Sequence, residues 1–428
     1  MSRTVVFDKW QGGWFLGVAL ITVAVFAAAC SSDGGEASTG GGGDAATDVA
    51  APDEGSSSGP ITLGLHNMEG GALSFTQISG AARAAVDDIN SRGGVNGREL
   101  ELIVCGTDGS PESSIDCANQ FVEQNVVAAM QGLDIAADAM LPILVDAGIP
   151  EVGYMPFTPS LRFAVDDAAF FGSPLEGNAA SAMTLLGQLG VERFAVLSTE
   201  APTTREFHTE VVEPMAADFG MQAESIFYPS VGADWTLVMS SALVGDPDAV
   251  ITIGAPETDC VGMLLALNSL DFDGPVMMGA CSAFVSVLRD RAVGVYTYSD
   301  FWWPTAYELA DVDTQKQIDR YLAAMESAEF GVFSNDGLAI RAYATIENLA
   351  SVLSSIDGPI GPQAVLDALR TSGTHEGFMG QPFNCDGQVW PGDTACSLGV
   401  VIWQVNDQLG LDMVSDGFID LSERRPAA

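Results

Sequence analysis

A chain of 428 residues, 47% of them hydrophobic, can bury more than one core, so two lobes are expected rather than one, and disorder throughout is excluded. Acidic residues outnumber basic ones 57 to 16, for a net charge of -41. Such a surface repels phosphates and anionic lipid head groups, which sets aside nucleic acid as a partner.

The chain opens with Arg3 and Lys9, then an apolar run from Trp14 to Ala29, then Cys30. That order predicts an export signal over residues 1–30, because the run falls short of the roughly 18 to 20 apolar residues of a membrane span and ends in small side chains. The stretch Ala27 to Asp33 resembles a bacterial lipoprotein processing site, with Ala27 where a leucine is usual. The resemblance implies that Cys30 is acylated and tethers an exported chain to the outer face of the cytoplasmic membrane. Residues 31–59 hold almost no large apolar side chain, too few to offset the entropy of ordering a backbone, and read as a tether. Six cysteines remain after Cys30, an even number in an exported chain, and they fall into three close pairs. The expected disulfides are Cys105 with Cys117, Cys260 with Cys281 and Cys385 with Cys396.

From Ile61 onward short β-rich runs alternate with helical patterns. Ile61 to His66 predicts a strand, and Ile78, Ala81, Ala82, Ala85, Val86 and Ile89 then recur at helical spacing. Gly93 and Gly94 end that helix, and Asn96-Gly97 turns into a second strand from Glu99 to Val104. Comparable strands begin at Val126, Phe194, Ala249 and Pro275. This alternation predicts an α/β fold of two lobes, each a doubly wound parallel sheet, joined by hinge strands. A helical stretch from Asp313 to Arg370 comes after the units of the second lobe, so one lobe is expected to be discontinuous. The expected division is residues 60–173 with 304–373, and 174–303 with 374–420, leaving 421–428 as a tail. The crossings are placed near Gly172 to Leu175, Phe301 to Pro304 and Ser372 to Gly380.

The segment Asp87 to Leu102 resembles the helix, glycine turn and second strand of type I periplasmic binding proteins of the leucine/isoleucine/valine-binding family. Asp108 to Gln124, Ile143 to Val152, Gly232 to Leu243 and Gly245 to Gly254 agree with it in order. The resemblance implies a solute-binding protein that closes two lobes on a small molecule and delivers it to an ABC-type permease, as a monomer and without a cofactor.

In such sheets ligands sit beyond the carboxyl ends of the strands. The loops there nominate Asn67, Leu73 and Phe75; Asp134 and Ile135; Met155, Phe157 and Thr158; Thr204; Ala255 and Pro256; and Ser282. Trp302 and Trp303 are added from a crossing strand. Of these, Thr158 matches a ligand-contacting threonine of the family. The Ser-rich segment with which amino-acid binders of the family hold a carboxylate is here Leu133-Asp134-Ile135-Ala136, Leu73 stands about where an aromatic is usual, and the tyrosine and acid of the second lobe are missing near Ala255 and Ser282. The expected ligand is therefore more apolar or less charged than a branched-chain amino acid, and Asp134 is read as a helix cap. His66, His208 and His375 lie in no metal or nucleophile motif, which argues against an enzyme. A sensing receptor of the same fold and a secreted two-carboxylate hydrolase are the competing readings.

Overall fold

The computed structural model describes residues 59–69, 71, 74–253, 255–279 and 281–424. The export signal, Cys30 and Leu73 lie outside these residues. Among the described residues no helix is long and apolar enough to cross a membrane.

Two sheets organise the chain. The first contains β1 (Ile61–Met68), β2 (Leu100–Thr107), β3 (Ala128–Gln131), β4 (Glu151–Gly153) and β5 (Ala168–Phe170), in the order β2-β1-β3-β4-β5 and parallel throughout. The second contains β6 (Arg193–Thr199), β7 (Gln222–Tyr228), β8 (Ala249–Thr252), β9 (Val276–Met278), β10 (Tyr296–Ser299), β11 (Val401–Val405) and β12 (Leu411–Met413). Its order is β12-β11-β10-β9-β8-β6-β7, parallel from β7 to β10 and antiparallel at β11 and β12. In each sheet the chain order reverses beside the first strand, between β1 and β3 and between β6 and β8. Loops leaving those neighbours diverge, which opens a crevice at the carboxyl ends.

The local sequence explains these elements. Seven of the eight residues of β1 are buried, as suits a central strand covered on both faces. The helix Thr76–Ser91 buries the apolar positions that recur at its period and ends at Gly93 and Gly94, with φ of 105° and 69°. Ser110 accepts from the Ser113 backbone N–H to start the next helix, Pro111–Glu123, with proline at its first position.

The late helices return to the first sheet. Val312–Ser327 and Gly337–Ser354 both pack on Thr76–Ser91, and Gly80 makes room for the segment that joins them, since a Cβ there would collide with the Phe330 ring. Residues 375–396, which the sequence assigns to the second lobe, also bond to elements beside the first sheet. The Phe378 N–H donates to Asn348 Oδ1 (2.8 Å), Phe170 N–H to the Thr394 carbonyl (2.9 Å) and Cys396 N–H to the Phe170 carbonyl (2.7 Å). The last two of these bonds satisfy the open edge of β5, which a chain passing straight to the second sheet would leave unpaired. The chain crosses only afterwards, to enter β11.

The crossings lie side by side. Phe301 bridges Gly380, the Tyr154 hydroxyl donates to the Asp300 carbonyl (2.7 Å), and Ser173 Oγ and Gln381 Nε2 both donate to the Gly399 carbonyl (2.7 Å each). Sulfur joins Cys105 to Cys117 between β2 and its following helix, Cys260 to Cys281 at the crevice edge, and Cys385 to Cys396 in the returning segment.

Candidate functional site

A cavity of about 410 Å³ opens where the carboxyl ends of the two sheets meet. From the first sheet come Phe75 after β1, Leu133 after β3, and Met155 and Phe157 after β4. From the second come Ile253, Ala255, Pro256, Glu257 and Thr258 after β8, Cys281 after β9 and Tyr298 on β10. Leu175 and Asn178 enter from the helix Leu175–Gln188, Gln77 from Thr76–Ser91, and Asp336, Gly337, Leu338 and Arg341 from the start of Gly337–Ser354. Its size and its many apolar side chains suit a small molecule with a substantial apolar body.

The polar groups fall into two sets. Arg341 is buried and spends its Nη2 and Nε on Asp300 Oδ1 at 3.0 and 3.3 Å, with its guanidinium carbon 5.2 Å from the centre of the Phe301 ring. Burial opposes its charge, and the Asp300 carboxylate more than offsets that, so it stays ionised. Glu257 accepts from the backbone N–H groups of Ser282 (2.8 Å) and Ala283 (3.0 Å). Burial pushes its carboxyl up to about 7, against those bonds and with a contribution from the Asp336 charge. Asp336 caps its helix by accepting from the Leu338 and Ala339 N–H groups (2.9 and 3.1 Å), and burial raises its carboxyl too.

Of the side chains nominated from the sequence, Phe75, Met155, Phe157, Ala255 and Pro256 line this cavity. The others do not. Asn67 is wholly buried and ties its loop down, donating to the Phe75 carbonyl (2.9 Å) and accepting from the Leu133 N–H (3.0 Å). Ile135 is 61% exposed and outside the lining. Thr158 is buried, its hydroxyl without a partner, and Thr204 sits half-buried on the short helix Pro202–Phe207. Ser282 stands beside the cavity, its hydroxyl donating to the Asn335 carbonyl at 3.0 Å. Trp303 is a fully buried core ring against Phe301, and Trp302 packs on Trp403.

Asp134 does not line the cavity either, and its main partner is not a helix N-terminus. It is fully buried and accepts from His66 Nδ1 (3.0 Å) and Ser114 Oγ (2.8 Å), with a local turn bond from the Ala136 N–H. His66 Nε2 donates to Glu151 at 2.6 Å. An imidazole between two carboxylates, all three inaccessible to solvent, is a structural ion cluster rather than a solvated background.

His208 contacts Ser198 Oγ at 2.8 Å, a nucleophile-and-base spacing. Ser198 is only 2% exposed and its hydroxyl also reaches the Ile253 carbonyl, while burial pushes His208 down to about 4. The pair is therefore core hydrogen bonding, closed to a substrate. Among the described residues no group of three or more His, Cys, Asp or Glu is placed to hold a metal ion.

A family model described as periplasmic binding protein matches residues 60–392. No curated protein matches the chain. Among solved structures, a fatty acid ABC transporter substrate-binding protein from Thermomonospora curvata is similar with a TM-score of 0.70 and 14% identity, over 87% of this chain and 97% of that one. A possible leucine/isoleucine/valine-binding protein from Rhodopirellula baltica gives 0.66 and 16%, over 86% and 98%. The branched-chain amino acid transporter substrate binding protein of Streptococcus pneumoniae, solved with isoleucine, gives 0.64 and 16%, over 84% and 99%. At such identities these likenesses carry the fold.

Proposed function

Because this chain belongs to the periplasmic binding protein family, whose members bind solutes and are not enzymes, we propose that it captures a small, largely apolar solute between its lobes and hands it to an ABC-type permease. The observation that carries this reading is the cavity itself, built from the strand ends of both sheets at once. A solute touching both walls binds the closed arrangement better than the open one, and only that difference can drive closure. The reading includes an exported, lipid-anchored monomer held through Cys30. It gives residues 60–173 and 304–373 to the first lobe together with 375–396, and the remaining strands to the second.

The supporting observations are local. Leu133, in the segment that the family resemblance sets against a ligand carboxylate, lines the cavity with a side chain that offers no donor, and Arg341 is occupied by Asp300. An α-amino acid would therefore leave its carboxylate poorly met, at a cost of a buried unpaired charge. A thermal-shift and native-mass screen of the purified protein against a broad solute set tests the reading. A binder should raise the melting midpoint with concentration, as any ligand selective for the folded state does. Turnover of a solute, or no binder in a set spanning acids, amines, sugars and lipids, would count against it.

The proposal also takes the three cysteine pairs as disulfides of the exported protein. Intact mass with alkylation should find none of these six thiols free before reduction and all six after it. Alkylation of the six in the untreated protein would refute the pairing.

A further inference from the structure

Resting on the solute-binding reading, we infer that the polar end of this cavity receives an ammonium group, so that the solute is an amine with an apolar body and no carboxylate. Glu257 stands on the second-sheet wall and Asp336 at the head of a helix packed on the first. Each spends its known bonds on backbone N–H groups, apart from a Gln77 contact to Asp336 at 3.4 Å, and a carboxylate has further lone pairs to offer.

A separate observation points to a ligand that donates. Asn178 lines the same cavity, is 4% exposed, and its Oδ1 has no hydrogen-bond partner. A buried acceptor left unmet is costly, and a turn of the Asn178 side chain toward a donor in the cavity would satisfy it. Arg341 is the one cationic side chain of the described lining; it hydrogen-bonds Asp300 rather than either acid, and its charge only partly offsets the burial of Asp336. Burial and mutual charge hold Glu257 up at about 7, a condition that a cation beside it would relieve.

The two acids are also mechanically linked. Ser282 gives its N–H to Glu257 and its hydroxyl to the Asn335 carbonyl, next to Asp336. An ammonium shared between Glu257 and Asp336 would therefore bind the two walls together, which is the differential contact that closure requires. The field of a chain with net charge -41 draws cations toward the cleft.

The test uses three probes with one apolar body: 4-phenylbutylamine, 4-phenylbutan-1-ol and 4-phenylbutyrate, titrated calorimetrically into the purified protein. The amine should bind at least about tenfold more tightly than the alcohol, with the acid weakest, because a charge-assisted hydrogen bond outweighs a neutral one. Glu257→Gln and Asp336→Asn keep acceptors for the backbone N–H groups; each should weaken the amine about tenfold and leave the alcohol within about twofold. Asn178→Leu, which touches neither acid's backbone bonds, should weaken the amine as well. Equal or tighter binding of the alcohol or the acid overturns the inference while leaving the solute-binding function intact. So does an amine affinity unchanged in all three variants, or no binding of any probe when the broader screen has found a binder.

Discussion

Asp300→Ala is expected to lower the unfolding free energy by about 3–5 kcal/mol, because it strands the buried Arg341 guanidinium without its counter-charge. Asp300 has no exposed side-chain surface and Arg341 only 10%. The carboxylate also accepts from the Ser173 N–H at 3.4 Å, while the backbone carbonyl of Asp300 receives the Tyr154 hydroxyl, so the residue fastens two crossings and the cavity floor together. Asp300→Leu combined with Arg341→Met should recover most of the loss, since exchanging a buried ion pair for apolar groups of similar volume is often near neutral. Equilibrium urea unfolding measures both variants. A loss below about 1 kcal/mol for Asp300→Ala would show that the pair is solvated in the working protein, because that is the range of exposed pairs.

The second large effect concerns the His66 cluster. Burial alone would push this imidazole down, but the Glu151 charge and the bonds to Asp134 and Glu151 push it up to about 9. A folded-state value above the ordinary 6.5 means that the folded protein holds the proton more tightly than the unfolded chain. The stability so contributed is fully present below pH 6.5 and is lost as pH rises through about 9. Asp134 is shifted the other way: burial works to raise it, and the His66 bond and charge bring it below 3.8. Its contribution is present above that value and fades as the solution becomes more acidic. His66→Leu should cost about 3–5 kcal/mol at pH 6, because Asp134 and Glu151 then lose the counter-charge and hydrogen bonds between them in a dry site, where burial already raises the Glu151 carboxyl. It should also abolish the decline in stability between pH 6.5 and about 9. Urea midpoints measured across pH for both proteins check this, and an alkaline slope that survives in the variant would contradict it.

How much of this was legible in the sequence follows from the range of the interactions. The strands at Ile61, Glu99, Phe194 and Ala249 announce themselves as short β-rich runs, and the helix after β1 through its spacing of Ile78, Ala82, Ala85 and Ile89. Loops at strand ends follow directly, and they supplied Phe75, Met155, Phe157, Ala255 and Pro256. Asp336 and Arg341 were missed because they arrive on a helix more than 250 residues from β1. Two signals were present: Asp336-Gly337 is a capping pair ahead of an apolar run, and Arg341 is a lone charge in a stretch of Ala, Ile and Tyr that had to be buried. Asn178 gave no such signal, since a polar residue in the first turn of a helix is commonplace. The His66 cluster joins residues 68 and 85 positions apart, a separation at which no local pattern survives. Trp302 and Trp303 show the converse error: large rings near a crossing suggest a binding wall, yet packing against Phe301 and Trp403 consumes them.

Small-angle scattering from the purified protein, without solute and then saturated with a binder from the screen, bears most directly on the claim that a guest draws the walls together. The radius of gyration should fall on saturation, as the carboxyl ends of the two sheets close over the bound molecule. A bound solute that leaves the scattering curve unchanged would mean that it sits elsewhere, or that the lobes do not move, and either would contradict capture by closure.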